Sequence, residues 1–220
     1  SFELDDLEQE ETGLLKDIRD FLKDTFVDEN DILEDVSPAL REAVDNIITG
    51  PFFSAVEKLR EPKKRRYRFL SSANDPLIEQ VIDTFGRNPE IRRIDVMSPY
   101  YDDDASAITE LKKNAGEIKL FVPAKKSTFP IKEFLRKKLS KVSVYSGDVI
   151  ESKITRFIHA KRYRFYLKEE NWDFITSANL TMPGLFNGGI ESSCRNLEIG
   201  LLMTASDGKF PGIDGYSLDN

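Results

Sequence analysis

The sequence is poor in the residues that form disulfides and metal centres. Among its 220 residues it has one cysteine, Cys194, and one histidine, His159. A single cysteine excludes a disulfide within the chain and favours a reducing compartment, so the cytoplasm is the default location. One histidine and one cysteine do not make a zinc ligand set. We therefore expect no metal and no other cofactor.

The sequence also lacks long apolar runs and an overall excess of positive charge. No apolar run is long enough to cross a bilayer, and the N-terminus has no signal-peptide pattern. The formal net charge of −7 argues against a nucleic-acid surface spread over the whole chain. Residues 1–62 are strongly acidic, whereas 63–68 and 156–168 are stretches with several basic residues each. The run at 63–68 either contacts a phosphate backbone or is a solvated linker.

Apolar residues recur at helical spacing through residues 3–60, which predicts an all-helical segment. The pattern is formed by Leu14, Leu15, Ile18, Phe21, Leu22, Ile32, Leu40, Val44, Ile47 and Ile48. The pattern is interrupted at 50–51 and broken again at 61–64, which predicts a linker near residues 60–65. We divide the chain into a helical connector or accessory segment at 1–62, an α/β domain at 63–206 and an irregular tail at 207–220.

From Arg66 onward, short apolar runs alternate with amphipathic segments. Strands are predicted at 66–72, 92–98, 117–122, 141–146, 154–167, 172–178 and 196–204, and helices at 75–87, 103–114, 129–140 and 181–186. The early strand–helix alternation favours parallel pairing, whereas the short connection after residue 167 favours an antiparallel hairpin. The predicted fold class is α/β, with a mixed β-sheet flanked by helices and preceded by the all-helical segment.

The only histidine lies in a predicted strand, two residues before a lysine. Because side chains alternate along a strand, His159 and Lys161 should point to the same face. Ser177 and Asn179 share one face of the next predicted strand in the same way, and a hairpin would set the two pairs side by side. Glu198 lies among apolar residues of a third predicted strand, where a cationic or imidazole partner would offset the cost of burying its charge.

These five residues suit the cleavage of a phosphodiester, which needs donors on its non-bridging oxygens and a nucleophile or base near phosphorus. The Lys161 ammonium and the Asn179 amide can hold phosphate oxygens, and the Ser177 hydroxyl can add a donor. His159 can attack phosphorus or carry a proton, and Glu198 would orient its imidazole. With this set, charge neutralisation does not require a metal.

At these positions the chain resembles the phospholipase D superfamily. The family signature is H-x-K-x4-D followed by G-S-x-N or a close variant, often with a later acidic residue. Residues 159–161 match H-x-K, residues 177–179 match S-x-N, and Glu198 matches the later acidic position. Tyr166 stands where the signature has aspartate, and Thr176 replaces the usual glycine.

The resemblance covers roughly residues 66–205, because Ile94 to Asp102 and Ile118 to Pro123 also look like the early strands of such a repeat. It implies a metal-independent phosphodiesterase that acts through a phosphohistidine intermediate. Some nuclease-like branches lack the signature aspartate and keep the downstream glutamate, so Tyr166 favours a nuclease over a lipase. A nucleic acid is the expected partner.

The family mechanism uses two histidines, and this chain has one. The resemblance therefore implies a second half-site, supplied either by the mate in a homodimer or by a preceding repeat of a longer protein. Residues 1–60 look like the helical connector of a two-repeat member, and the chain starts at Ser1 without an initiator methionine. Both features favour the preceding repeat.

Two other functions compete with a nuclease. One is a non-catalytic module that keeps the phosphate pocket to bind a nucleic acid or a partner, and Tyr166 is the feature in its favour. The other is an enzyme that cleaves phospholipids. Tyr163, Phe165 and Trp172 either stack on bases or belong to the core, as strand aromatics more often do. Residues 102–104, three aspartates, either bind a metal or, as we favour, supply negative charge to a helix N-terminus.

Overall fold

The computed structural model describes most of the chain. It covers residues 9–27, 37–60, 64–123, 126–147, 149–151, 154–156, 159–188, 196–205 and 216–217. Predictions about Ile32, Lys63, Cys194 and most of the tail at 207–220 fall outside these ranges. None of the helices in the described ranges is long and apolar enough to cross a membrane.

Helices form the N-terminal part of the chain, as predicted. They are α1 (Gln9–Phe26), α2 (Pro38–Ile48) and α3 (Pro51–Lys58). Proline occupies the first turn of α2 and of α3, where its missing N–H leaves no helical hydrogen bond unmade. The inward face of α2 is narrower than predicted, because Leu40 and Ile47 are 46% and 57% exposed whereas Val44 and Ile48 are buried. Only the stripe that faces α1 and α3 is covered.

The strands form one mixed sheet and a separate hairpin. Their bounds are β1 (Tyr67–Ser71), β2 (Arg93–Met97), β3 (Glu117–Pro123), β4 (Val142–Gly147), β5 (Val149–Glu151), β6 (Ile154–Arg156), β7 (Arg162–Tyr166), β8 (Asn171–Thr176), β9 (Ile199–Thr204) and β10 (Tyr216–Ser217). Within the described ranges the main sheet has eight strands in the order β1-β9-β8-β7-β2-β3-β4-β10. β2, β3 and β4 are parallel, and their other neighbours are antiparallel. The predicted α/β class with a mixed sheet is confirmed.

Helices and sheet share one hydrophobic core. The further helical elements are α4 (Leu77–Thr84), α5 (Ser106–Lys113), α6 (Ile131–Lys137) and a π-helical turn (Met182–Phe186). Residues of all four pack with alternate residues of the strands, such as Ile94, Leu120 and Phe174. On β7, Tyr163 and Phe165 are fully buried in this core, so Arg164 between them projects to the opposite face. The prediction that these aromatics and Trp172 are core residues is confirmed.

The predicted strand 154–167 is wrong as a single element. β6 pairs with β5 in its own two-stranded sheet, whereas β7 begins at Arg162 and pairs within the main sheet. Residues 159–161 lie in no strand. Alternation along a sequence marks extended chain, but the partner of each part depends on long-range register that the pattern does not contain.

Helix α1 packs on β1, on the face opposite the main core. The ring centroids of Phe21 and Phe69 are 5.2 Å apart. The Asp17 carboxylate accepts hydrogen bonds from the Arg65 guanidinium at 2.5 Å and from the Phe69 backbone N–H at 3.2 Å. The division at residue 62 remains a prediction, but these contacts fasten the helical segment to the sheet.

A buried ion cluster joins β7 and β8 on the same face of the sheet. Asp173 accepts from Arg162 at 3.2 and 2.6 Å and from Arg164 at 2.8 and 2.8 Å. Burial by itself would raise the pKa of Asp173, but hydrogen bonds from Arg164 and Arg162 and their charges outweigh it, so the pKa lies below the ordinary value. The carboxylate therefore stays ionised and holds both guanidinium groups.

We expect Asp173→Asn to lower the free energy of unfolding by about 3–5 kcal/mol, because it removes the carboxylate that balances the buried Arg164 charge. Urea denaturation at pH 7 measures the change. Glu133→Gln is the matched control, since it breaks an exposed pair with Arg136 and should cost at most about 1 kcal/mol. Equal losses in the two variants would show that the buried cluster contributes no more than a surface pair.

Candidate active site

Four strand ends meet at one edge of the main sheet. β7 begins at Arg162 beside the last residue of β2, Met97, and beside the end of β8. Thr176, the last residue of β8, pairs with Gly200 near the start of β9. The three predicted motifs come directly before β7, after β8 and before β9, so the sheet brings all of them to this edge.

His159 and Lys161 precede β7 rather than lying within it. The strand assumed for them is therefore wrong, but the predicted pairing of their side chains occurs: Lys161 Nζ is 3.1 Å from Nδ1 and 3.3 Å from Nε2 of His159. An ammonium can only donate, so the imidazole nitrogen facing it is the acceptor. His159 is exposed and Lys161 is buried. The histidine is therefore accessible to a ligand, and the buried lysine places a positive charge next to it.

The Lys161 ammonium is a buried charge with an acidic neighbour. Burial lowers its pKa from the ordinary value, and the negative charge of Glu198 acts in the opposite direction. Glu198 is itself only 8% exposed. The carboxylate thus balances a lysine that the fold has taken out of water.

Glu198 is hydrogen-bonded to Ser177. Ser177 Oγ donates a short hydrogen bond to Glu198 Oε2 and accepts one from the Ile199 N–H at 3.0 Å. The sequence predicted that this carboxylate orients the imidazole of His159. In the structure Glu198 accepts its hydrogen bond from Ser177, because β8 and β9 are adjacent. The His159 segment leads into β7, which is one strand further away.

Asn179 presents an amide to the same edge. Its side-chain oxygen is buried and has no hydrogen-bond partner among the described residues. A buried amide atom without a partner is costly, by roughly 1–3 kcal/mol. The oxygen can only accept, so a phosphate oxygen would be bound by the Nδ2 amino group of the same amide, and Oδ1 is left to accept from a donor of the ligand.

Tyr166, at the signature aspartate position, lies away from these groups. It ends β7, five residues or about 16 Å of extended chain from Lys161. Its hydroxyl donates to Asp95 Oδ2 at 2.8 Å, and the Arg93 guanidinium carbon lies 3.8 Å from its ring centroid. Tyrosine here binds a carboxylate of the neighbouring strand and removes no group from the His159–Lys161 pair.

A further aromatic residue borders the site. The ring of Tyr100 contacts His159 edge to face, with centroids 5.8 Å apart and planes at 70°. Sequence reasoning placed Tyr100 only in a strand-like run. Its position just after β2 was the available signal, since ligand sites gather at the carboxyl ends of parallel strands.

The remaining charged motifs have structural partners. Asp102 accepts from the Ala107 N–H at 3.1 Å and Asp104 from the Ser106 N–H at 3.0 Å, so the predicted helix N-terminus is confirmed. The described ranges contain no cluster of three or more acidic, histidine or cysteine ligands for a metal. Lys64 pairs with Glu170 at 2.8 Å, and Arg65 pairs with Asp17 of α1 at 2.5 Å. The choice between a phosphate contact and a solvated linker for the 63–68 run remains open, but Lys64 and Arg65 each have an acidic partner within the protein.

Together, the fold and the cluster define an α/β protein with a histidine, a buried lysine, an amide and a serine–glutamate pair at one sheet edge. No family model matches the chain. No curated protein matches it either.

Solved structures of other proteins are similar to it. The yeast tyrosyl-DNA phosphodiesterase matches with 15% identity and a TM-score of 0.37 over 62% of this chain and 32% of that one. NucT from Helicobacter pylori matches with 14% identity and a TM-score of 0.35 over 61% of this chain and 84% of that one. Polyphosphate kinase from Porphyromonas gingivalis matches with 17% identity and a TM-score of 0.34 over 76% and 24%.

All three are members of the phospholipase D superfamily, which the motifs of this chain resemble. The chain spans 32% of the yeast protein and 24% of the kinase. Because every TM-score is below 0.5 and every identity below 25%, these similarities carry no argument about substrate or mechanism. The chemistry is argued from the side chains of this chain.

We expect the Lys161 ammonium to lose its proton at a pH below 10.5, the ordinary lysine value, because burial lowers its pKa. NMR titration of the labelled side chain measures this directly. Affinity for inorganic phosphate should fall as pH rises through that midpoint, and Lys161→Arg, which keeps its charge, should hold phosphate to higher pH. A midpoint at or above 10.5 would contradict the burial of this charge.

Proposed function

We propose that this chain is one half of a metal-independent phosphodiesterase of the phospholipase D type, acting on nucleic acid through a phosphohistidine intermediate. The observation that carries the proposal is the contact between the exposed imidazole of His159 and the buried ammonium of Lys161, 3.1 Å apart. A nucleophile next to a fixed positive charge is the arrangement that attack on an anionic phosphodiester requires.

In the proposed reaction Lys161 leaves the imidazole to bind a non-bridging oxygen of the substrate, and the His159 nitrogen that it releases attacks phosphorus with its lone pair. The new N–P bond forms as the bond from phosphorus to the leaving oxygen breaks, and an acid gives that oxygen a proton. Water then attacks phosphorus and gives a proton to the conjugate base of that acid as the N–P bond breaks, which releases a phosphate monoester and restores the histidine. Lys161 and Asn179 stabilise the charge on the non-bridging oxygens during both steps.

Ser177 and Glu198 act as a hydrogen-bonded pair that supports Lys161. Because the Ser177 hydroxyl donates to Glu198, it holds the carboxylate and not a phosphate oxygen. Glu198 in turn keeps negative charge near Lys161, which favours the ammonium form. The pair therefore maintains the charge of the lysine that receives the substrate.

Nucleic acid is the favoured substrate because of Tyr100. A partly exposed aromatic ring beside the nucleophile suits a base next to the scissile phosphate, since base stacking on aromatic side chains tolerates any sequence. A phospholipid or a purely binding role are the alternatives. The binding role loses its main support, because Tyr166 lies away from the cluster.

His159→Ala should abolish phosphodiester cleavage, by at least about 1,000-fold, because a catalytic nucleophile has no substitute among the neighbouring groups. Single-turnover assays on single-stranded DNA, double-stranded DNA, RNA and a phosphatidylcholine analogue measure the loss and rank the substrates. Wild-type activity should persist in excess EDTA.

Lys168→Ala is the matched control for a general effect of charge or folding, since this exposed lysine lies in the turn after β7. It should cleave at the wild-type rate. Undiminished cleavage by His159→Ala, or a loss in EDTA that one divalent ion restores, would refute the mechanism.

Protonation of the leaving oxygen requires a general acid, and the proposed mechanism uses a second histidine for it. Because His159 is the only histidine in the sequence, this second histidine must belong to another half-site. Three apolar side chains beside the cluster are exposed and suit a protein surface that docks there: Ile175 at 48%, Leu197 at 38% and Ile199 at 39%. We infer that the second half covers this patch. It is supplied by a preceding repeat or by a second copy of the chain.

We interpret α1–α3 as a connector to a preceding repeat. We therefore expect the isolated chain to sediment as a monomer and to cleave the substrate slowly. Analytical ultracentrifugation paired with the cleavage assay tests this. A stable, active homodimer would contradict it and make a second copy the donor. In that case Ile175→Lys should dissociate the dimer, while Ile131→Lys, at a 63% exposed position on α6, should leave it intact.

A further inference from the structure

The two neighbours of Asn179 in the chain are both anchored to buried hydroxyl groups. The Ala178 carbonyl accepts from the Tyr163 hydroxyl at 3.1 Å, and the Leu180 N–H donates to Ser98 Oγ at 3.1 Å. All four of these residues are 0% exposed. The backbone on either side of Asn179 is thus held inside the protein by one hydrogen bond each.

Each hydroxyl is itself fixed by a central strand. Tyr163 belongs to β7, and its ring lies 6.1 Å from that of Phe174 on β8. Ser98 directly follows β2, and its Oγ donates to the Tyr100 carbonyl at 3.0 Å. The serine therefore connects the segment that presents Tyr100 to the segment that presents Asn179.

The segment after Asn179 is tied down as well. Leu180 forms an isolated parallel bridge with Tyr101. The Met182 N–H lies 3.1 Å from both carboxylate oxygens of Asp102. These contacts explain how the fold keeps the Asn179 amide oxygen buried without a partner, because the backbone leaves it little freedom to turn outward.

We propose that Tyr163 and Ser98 are positioning residues for Asn179, which hold its amide where it meets a phosphate oxygen of the substrate. The proposal rests on the proposed function for the identity of that ligand. Neither residue touches the ligand, so each acts through the backbone of its hydrogen-bonded neighbour. Loss of either bond should let the amide move, and displacement by about 1 Å is enough to lower turnover strongly.

The tyrosine is suited to this task at neutral pH. Burial raises the pKa of Tyr163 well above its ordinary value, and the nearby Tyr101 and the charge of Glu198 act in the same direction. The phenol therefore remains protonated and keeps donating to the Ala178 carbonyl. Its role does not change across the range in which the enzyme would work.

The chain provides a matched control for the loss of a buried phenol. The Tyr101 hydroxyl is also buried, but it has no hydrogen-bond partner among the described residues. Tyr101→Phe therefore makes the same chemical change as Tyr163→Phe without releasing the Asn179 backbone. Ser98→Ala tests the other anchor, and Ser98→Thr, which keeps the hydroxyl, should restore it.

The first readout is the side-chain amide resonance of Asn179 in the folded protein, which needs no activity. We expect it to shift in Tyr163→Phe and Ser98→Ala and to stay in place in Tyr101→Phe and Ser98→Thr. An unchanged resonance in the first two variants would overturn the proposal. This result stands whether or not the proposed function holds.

The second readout is a double-mutant cycle on cleavage and on inorganic phosphate affinity. Tyr163→Phe should lower kcat by about tenfold or more in the wild-type background and have no further effect once Asn179→Ala has removed the amide. Additive losses would show a general structural role and overturn the proposal. If wild type neither cleaves nor binds phosphate, the proposed function fails and the amide resonance alone decides the positioning role.

Discussion

Burial of the Lys161 ammonium beside His159 is the interaction on which the rest of the site depends. A buried charge requires an opposing charge and well-placed polar partners, and Glu198 and the imidazole supply them. His159 and Lys161 are near neighbours in the chain, whereas Glu198 comes from a separate segment. They meet because β7 and β9 both pair with β8, so the entries into two strands and the exit from the third share one sheet edge.

The polar groups around this cluster divide into those that are exposed and those that bond to other groups of the protein. His159 is exposed, whereas the Ser177–Glu198 pair and the hydroxyls of Tyr163 and Ser98 bond to protein groups. Satisfying buried polar groups in this way makes a rigid edge, because each lost bond would leave an unpaired donor or acceptor. Rigidity at such an edge favours catalysis, which depends on preorganised charge.

The fold was largely predictable from the sequence because its strands are short apolar runs separated by amphipathic helices. The run at 92–98 contains β2, Arg93–Met97, and the run at 117–122 nearly coincides with β3, Glu117–Pro123. The 154–167 run was not predictable in the same way. The sequence pattern predicted that this run is extended. Its division between a separate hairpin and the main sheet, however, depends on pairing with distant strands.

The sequence by itself determined which chemical groups are present and their close spacing: one histidine two residues before a lysine, and a serine two residues before an asparagine. Only the tertiary structure decided their partners. It paired Glu198 with Ser177, tied Tyr166 to Asp95, and placed Tyr100 against His159. The physical reason is that spacing along the chain constrains neighbours within a segment, whereas hydrogen bonds between segments follow strand order and register, which the whole fold sets.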